Sequence, residues 1–277
     1  MLSILDSHDP SKPLFMVYTP KLCHYPLQAP QEYQDKFSFI KEDHRRTYAA
    51  MVNFLDDQVA NLTETFKAKG LWDNTLMVFT TDNGGYVKSF EGDCNDATPH
   101  GTACFNGEAG ASNYPLRGGK YSHFEGGVLG NSFISGGLLP SKVRGTQLKG
   151  LMHVADWYAT FAGLAGVDTS DPVAAAAGLP PVDSLDMWPL VSGENMTSPR
   201  TTVLYDDTTF QSGKYKLMTG KQIEASWGGP QYPNATTATD PIALYNLDCT
   251  TPCLFDVEAV RLSTPILPRT TRTLWRP

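Results

Sequence analysis

The sequence predicts an α/β protein, with a mostly parallel sheet flanked by helices and a small antiparallel sheet towards the carboxyl end. Two apolar runs, PLFMVY at 13–18 and TLMVFTT at 75–81, bracket a long stretch of helical period. Strand–helix–strand is the signature of a parallel sheet covered by helices. After Gly178 the composition shifts to proline, serine and threonine, and TVLYDD, KYKLMTG and IALYNLD alternate as antiparallel strands do. The expected division is residues 1–178 as the α/β unit, 179–257 as a small α+β subdomain and 258–277 as an irregular tail.

PLFMVY reads as a buried strand ending at Thr19-Pro20. In HYPLQAPQEY, Pro26 and Pro30 argue against a helix and for an ordered loop. From about Glu42 to Lys69 the residues Tyr48, Met51, Leu55, Val59, Leu62 and Phe66 recur at steps of three and four, one apolar stripe on an amphipathic helix. Lys67 and Lys69 suit the negative end of its dipole, and Gly70 supplies a left-handed cap. Residues 84–119 are glycine-rich and carry no clear element, a length that marks a functional or disordered loop. FEGGVLGNSFISGG contains another short strand. A second helix is expected over roughly 150–165, with Leu151, Val154, Trp157, Tyr158, Phe161 and Leu164 buried and His153 a core histidine.

Composition bounds the function. The chain has 277 residues, 41% hydrophobic and 18% charged, enough to bury a core. A net charge of -7 argues against nucleic acid as a partner, because phosphate binding needs a basic face. No run reaches membrane-spanning length, and MLSILDSHDPSKP lacks a signal peptide's basic flank and apolar core. Read alone, that segment places the chain in the cytosol. Sequons at Asn61, Asn195 and Asn234 and the close pairs Cys94/Cys104 and Cys249/Cys253 point instead to an oxidising compartment. CTTPC reads as a small disulfide loop in a polar turn, with unrelated thiols or a metal clip as the alternatives. Cys23 reads as a buried thiol.

The chemistry centres on TTDNGG. An Asp-Asn pair at a strand's carboxyl end, here Asp82 and Asn83, offers hard oxygen ligands where ligands gather in open α/β sheets. By itself the hexapeptide reads better as a common D-N-G turn than as a site. Two further stretches give it company: His24 lies past the end of the other predicted strand, and Lys120 follows two glycines in PLRGGKYSHFEGG. A cation, a lysine and a histidine around one pocket suit a tetrahedral oxyanion. The lysine would neutralise ester charge and the histidine would donate to the leaving oxygen. His123 and Glu125 are assigned to local packing and loop hydrogen bonds.

HYPLQAPQEY, YAAMVNFLDDQVANLTETFKAKGLWDNTLMVFTTDNGG and PLRGGKYSHFEGG together resemble the sulfatases, in particular the arylsulfatase B (N-acetylgalactosamine-4-sulfatase) group. The likeness runs from about residue 10 to CLFDVEA near 257. It implies an alkaline-phosphatase/sulfatase-like fold and hydrolysis of an aryl or glycosaminoglycan sulfate. It also implies a calcium ion held in part by Asp82 and Asn83, sulfate contacts from His24 and Lys120, and a lysosomal or secreted setting.

The chain departs from that pattern. It has no C/S-x-P-S-R motif for the formylglycine nucleophile, no amino-terminal Asp-Asp pair and no K-x-H segment, and VEAVRLSTP replaces the usual D-P-x-E continuation. The expectation is the carboxyl-terminal part of a sulfatase, inactive alone and poor at folding. Two readings remain beside it: a non-catalytic sulfated-glycan-binding remnant, and a related metal-dependent phosphatase or phosphodiesterase. The second is disfavoured because only six histidines occur and no D-x-x-x-H follows TTDNGG.

Overall fold

A long helix and the loops laid across it position the candidate residues. The computed structural model describes residues 2–86, 110–223, 225 and 246–258. In chain order the helices are α1 (Leu2–Ser7), α2 (Gln31–Asp35), α3 (Asp43–Ala68), α4 (Glu125–Val128), α5 (Asp156–Ala165), α6 (Pro172–Ala176) and α7 (Trp188–Val191). The strands are β1 (Met77–Thr80), β2 (Ser132–Ser135), β3 (Thr202–Asp206), β4 (Thr209–Ser212), β5 (Tyr215–Gln222) and β6 (Leu247–Asp256).

Helix α3 forms where the apolar period places it. The Glu42 carboxylate accepts from the amides of His44 and Arg45 and so satisfies two orphan donors of the first turn. At the other end Gly70 takes φ +68°, and the amide of Leu71 donates back to the Phe66 carbonyl at 2.9 Å. Met51 and Phe66 are buried, and the rest of the expected stripe is half-buried. Leu5 of α1 is buried, and Lys69 reaches Asp6 at 3.1 Å. Tyr33 of α2 stacks edge-on to Phe54 and donates to Asp57. Helix α2 itself corrects the expectation of a loop throughout HYPLQAPQEY. Both prolines lie ahead of Gln31, so its backbone amides are free to start a turn.

The sheet differs from the expected one. Among the described residues no parallel pair forms: β1 pairs antiparallel with β2, Phe79 opposite Phe133 with the rings stacked at 4.9 Å. PLFMVY lies outside every strand, with Phe15 73% and Val17 71% exposed. An apolar run becomes a strand only when a neighbour takes its ladder hydrogen bonds, and here Phe15 instead meets the Phe161 ring edge-on.

The carboxyl-terminal sheet is antiparallel, as expected, in the order β3-β4-β5-β6. TVLYDD and KYKLMTG supply β3 and β5, while residues 242–245 of IALYNLD lie outside the described residues and β6 begins at Leu247. Strand β4 was not foreseen; it completes a hairpin in which Asp206 accepts from the amide and hydroxyl of Thr208. Opposite Met218 and Gly220 of β5 stand Cys253 and Cys249 of β6, so β6 spends four steps where β5 spends two. The extra Thr250-Thr251-Pro252 bulges out, where a proline costs no ladder bond, and a Cys249–Cys253 disulfide closes the bulge. CTTPC is therefore a closed bulge within a strand rather than a turn between elements. The buried face packs Met218, Cys249 and Phe255 against Phe124. A second core joins Leu139 to Met187, Leu190 and Val191.

Helix α5 starts at Asp156, not near Gly150, and its burial matches the expectation only in part: Leu151, Trp157 and Phe161 are half-buried, with Trp157 against the second core. Val154, Tyr158 and Leu164 are exposed, while Asp156 and Thr160 are fully buried. The Asp156 carboxylate explains both. It accepts from the amides of His153 and Leu185 and from the Arg200 guanidinium at 2.7 Å, so Asp156 and Thr160 turn inward beside the half-buried Trp157. His153 precedes the helix and its Nδ1 accepts from the Ala155 amide.

Candidate functional site

The exit of β1 is held by the entry to β2: the Thr81 amide donates to the Asn131 carbonyl, and the Asn131 amide donates to the Thr81 hydroxyl. Asp82 and Asn83 follow. Asp82 is exposed, and its Oδ1 accepts from the Asn83 amide at 2.7 Å; the Asn83 side-chain amide donates to the Gly84 carbonyl at 2.7 Å.

The next two glycines dock on the Lys120 segment. Gly84 N–H donates to the Gly127 carbonyl at 2.8 Å, and Lys120 N–H donates to the Gly85 carbonyl at 3.1 Å. Asn113 reinforces the junction: its Oδ1 accepts from Gly85 N–H, and its Nδ2 donates to the carbonyls of Gly85 and Gly118. Glycine is required at 84, because an added Cβ would stand 1.6 Å from the Gly126 carbonyl oxygen. The half-buried Lys120 extends so that its ammonium lies 5.5 Å from the centre of the Tyr121 ring. The fold thus brings Asp82, Asn83 and Lys120 into one neighbourhood.

His24 arrives by a different route. It follows Cys23, whose φ of +66° turns the chain sharply, and precedes a cis Tyr25–Pro26 bond. The exposed His24 ring sits with Nδ1 2.7 Å from the Tyr25 carbonyl oxygen. A carbonyl only accepts, so Nδ1 carries the proton and Nε2 is the acceptor of the neutral ring. Tyr48 of α3 reaches the turn after β1, its hydroxyl 3.6 Å from where a Cβ on Gly85 would stand. Burial pushes the Tyr48 phenol up to about 12, with the neighbouring Cys23 thiol and the Asp82 carboxylate adding to the rise and Arg45 opposing it. Burial likewise pushes the Cys23 thiol up.

Calcium demands six to eight oxygen ligands. Asp82 and Asn83 supply one carboxylate and one amide oxygen, and among the described residues no group of three or more His, Cys, Asp or Glu side chains could hold a metal ion. The described residues therefore do not fit a complete calcium shell, and no chemical step is derived through one.

Asn61 and Asn195 stand exposed, on α3 and in the turn after α7. Asn234, Cys94, Cys104 and residues 259–277 lie outside the described residues. Among the described residues no helix is long and apolar enough to cross a membrane.

Sequence reasoning missed Tyr48, assigned to the apolar stripe, and Asn113, for which no local signal exists. It also kept Glu125 to local packing and loop hydrogen bonds, without its distant partner. Glu125 forms an ion pair with Lys216, which is 1% exposed. The alternation in β5 carried a signal here, because Lys216 falls in phase with buried Met218.

A family model described as Sulfatase matches residues 1–167. Mouse (Mus musculus) arylsulfatase J is 32% identical over 252 residues, covering 82% of this chain and 37% of that protein. Human (Homo sapiens) arylsulfatase A is 27% identical over 259 residues, covering 87% of this chain and 44% of that protein. Among solved structures, Ps i-CgsB in complex with k-i-k-neocarrahexaose superposes with a TM-score of 0.59 at 25% identity, over 88% of this chain and 43% of that one. A Bacteroides thetaiotaomicron protein, solved in work on the metabolism of multiple glycosaminoglycans, shares the fold with a TM-score of 0.62 at 21% identity, over 93% of this chain and 47% of that one. The chain spans less than half the length of these relatives.

Proposed function

The chain belongs to the sulfatase family, and from that premise we propose that it supplies the substrate-binding half of a sulfate-ester hydrolase site. Lys120 neutralises the negative charge of a bound sulfate, and His24 in its doubly protonated form, with Nδ1–H held by the Tyr25 carbonyl, donates a hydrogen bond or proton from Nε2 to the ester oxygen that leaves. The observation that carries this reading is the pair of backbone hydrogen bonds, Gly84 to Gly127 and Lys120 to Gly85, that tie the Asp-Asn turn to the lysine-bearing turn. A glycine junction this close leaves the two turns little freedom to part.

Calcium and formylglycine belong to the same reading at one remove. Asp82 and Asn83 would contribute two of the ion's ligands, and the rest of the shell is not among the described residues. No C/S-x-P-S-R motif occurs in these 277 residues, so no covalent sulfated intermediate is available to split the reaction into two easier steps. The 277-residue chain by itself therefore binds a sulfate ester without turning it over. Its substrate class is a sulfated glycan or aryl sulfate, in line with the names of its relatives; an N-acetylgalactosamine 4-sulfate is the specific member suggested by the arylsulfatase B resemblance. The Cys249–Cys253 disulfide and the exposed sequon asparagines Asn61 and Asn195 favour a secreted or lysosomal setting.

Hydrolysis of 4-nitrocatechol sulfate tests the division of labour. Purified chain is expected to release no more nitrocatechol than the Lys120→Ala variant. Release above that control would show that a nucleophile is present after all.

A further inference from the structure

Lys216 is the largest fully buried side chain among the described residues. Its ammonium donates to the His123 carbonyl at 2.9 Å, pairs with the Glu125 carboxylate and lies 4.5 Å from the centre of the Tyr205 ring. Burial pushes the Lys216 ammonium below the usual lysine range, while Glu125 pulls it back. A lysine kept in so dry a place costs several kcal/mol unless it is well paired. Both of its acceptors belong to one short segment, the entry to α4, five residues or fewer beyond Lys120.

That segment is gripped by the antiparallel sheet on every side. Phe124 inserts into the core formed with Met218, Cys249 and Phe255. The Thr209 hydroxyl lies 3.2 Å from His123 Nδ1, with Asp206 at 3.7 Å. Ahead of Lys120, Arg117 donates to the Ala225 carbonyl and stacks its guanidinium 4.5 Å from the Phe124 ring centre. The two ends of the turn close on each other where Gly126 N–H donates to the Arg117 carbonyl at 2.7 Å. Lys120 is thus carried on a turn with one foot, His123 to Glu125, on the carboxyl-terminal sheet and the other, Arg117, tied to Ala225 just past the end of β5.

We propose that Lys216 is a positioning residue for the anion site: through Glu125 and the His123 carbonyl it sets the 117–127 turn, and with it Lys120, against the Asp82–Asn83 turn. The inference rests on the reading of Lys120 as the sulfate-binding cation. It gives the small sheet a role in substrate binding that no residue of the sheet performs by contact. An apolar residue at 216 would fill the same volume but leave Glu125, 17% exposed, without its partner.

The test compares wild type with Lys216→Met, Glu125→Gln and Lys120→Ala, in amide hydrogen exchange and in the affinity for inorganic sulfate, at a temperature where each variant is folded. Lys216→Met is expected to speed exchange at Gly84, Lys120 and Gly126 by about tenfold or more and to weaken sulfate binding by about tenfold. Amides in the middle of α3 stay as protected as in wild type. Glu125→Gln shifts both readouts in the same direction by less, and it carries the test alone if Lys216→Met does not fold. Unchanged exchange at the three amides overturns the proposal. Faster exchange with unchanged sulfate affinity also overturns it, leaving Lys216 a purely structural group. Should wild type bind sulfate no better than Lys120→Ala, the reading of Lys120 itself falls, while the exchange data still decide whether Lys216 sets the turn.

Discussion

The α-carbon of Gly84 faces the Gly126 carbonyl so closely that a methyl group on it would stand 1.6 Å from the oxygen. Gly127, one residue on, accepts the Gly84 amide. This contact joins the strand-end turn to the lysine-bearing turn with no side chain between them. Gly84→Ala is therefore expected to cost about 3 kcal/mol or more, since overpacking against backbone cannot be relieved by a rotamer change. Gly70→Ala is the control: its φ of +68° is unfavourable for alanine, but no atom lies within 4 Å, so the cost is about 1 kcal/mol. Urea denaturation of both variants checks the contrast.

Asp156 and Arg200 form a buried pair, with side-chain exposures of 0% and 11%. Burial alone would raise the Asp156 pKa, but the Arg200 hydrogen bond, the His153 and Leu185 amides and the Arg200 charge outweigh it and hold it below the ordinary 3.8. A carboxylate depressed in the folded state contributes stability that is full above its unfolded value and lost as pH falls through the folded one. Asp156→Asn should cost about 3 kcal/mol or more at neutral pH, because it strands Arg200. The gap from wild type should close below pH 3.8, as seen in thermal melts across that range.

Tyr48 gives the opposite sign. Its phenol is raised from 10.0 to about 12 in the fold, so its contribution is complete below the unfolded value and is lost as pH rises from 10 towards 12. Tyr48→Phe cannot ionise and should flatten the alkaline loss of stability by an amount on the order of 3 kcal/mol. Equal slopes for wild type and variant between pH 10 and 12 would contradict a Tyr48 phenol raised by burial.

Local chemistry made part of this fold legible. Helix α3 could be read because its period, its cap at Gly70 and its basic last turn all agree within one segment. The end of β1 and the glycines around Lys120 could be read as a site, and the structure does draw those two turns together. PLFMVY could not be read correctly, because a strand is defined by neighbours and not by its own apolar run. Helix α5 misled for a related reason: one buried carboxylate, answered by Arg200 some forty residues later, decides which face turns inward. The pairing of Glu125 with Lys216 stayed hidden because the partners are about ninety residues apart, although the phase of β5 with Met218 already turns Lys216 inward.

The measurement that bears most directly on the central claim is the equilibrium binding of 4-nitrocatechol sulfate to the 277-residue chain, titrated calorimetrically beside Lys120→Ala and His24→Ala. Saturable binding that Lys120→Ala weakens by tenfold or so, and His24→Ala by less, is the predicted result. Binding of equal strength in all three proteins, or none in wild type, would contradict the assignment of these turns to a sulfate site.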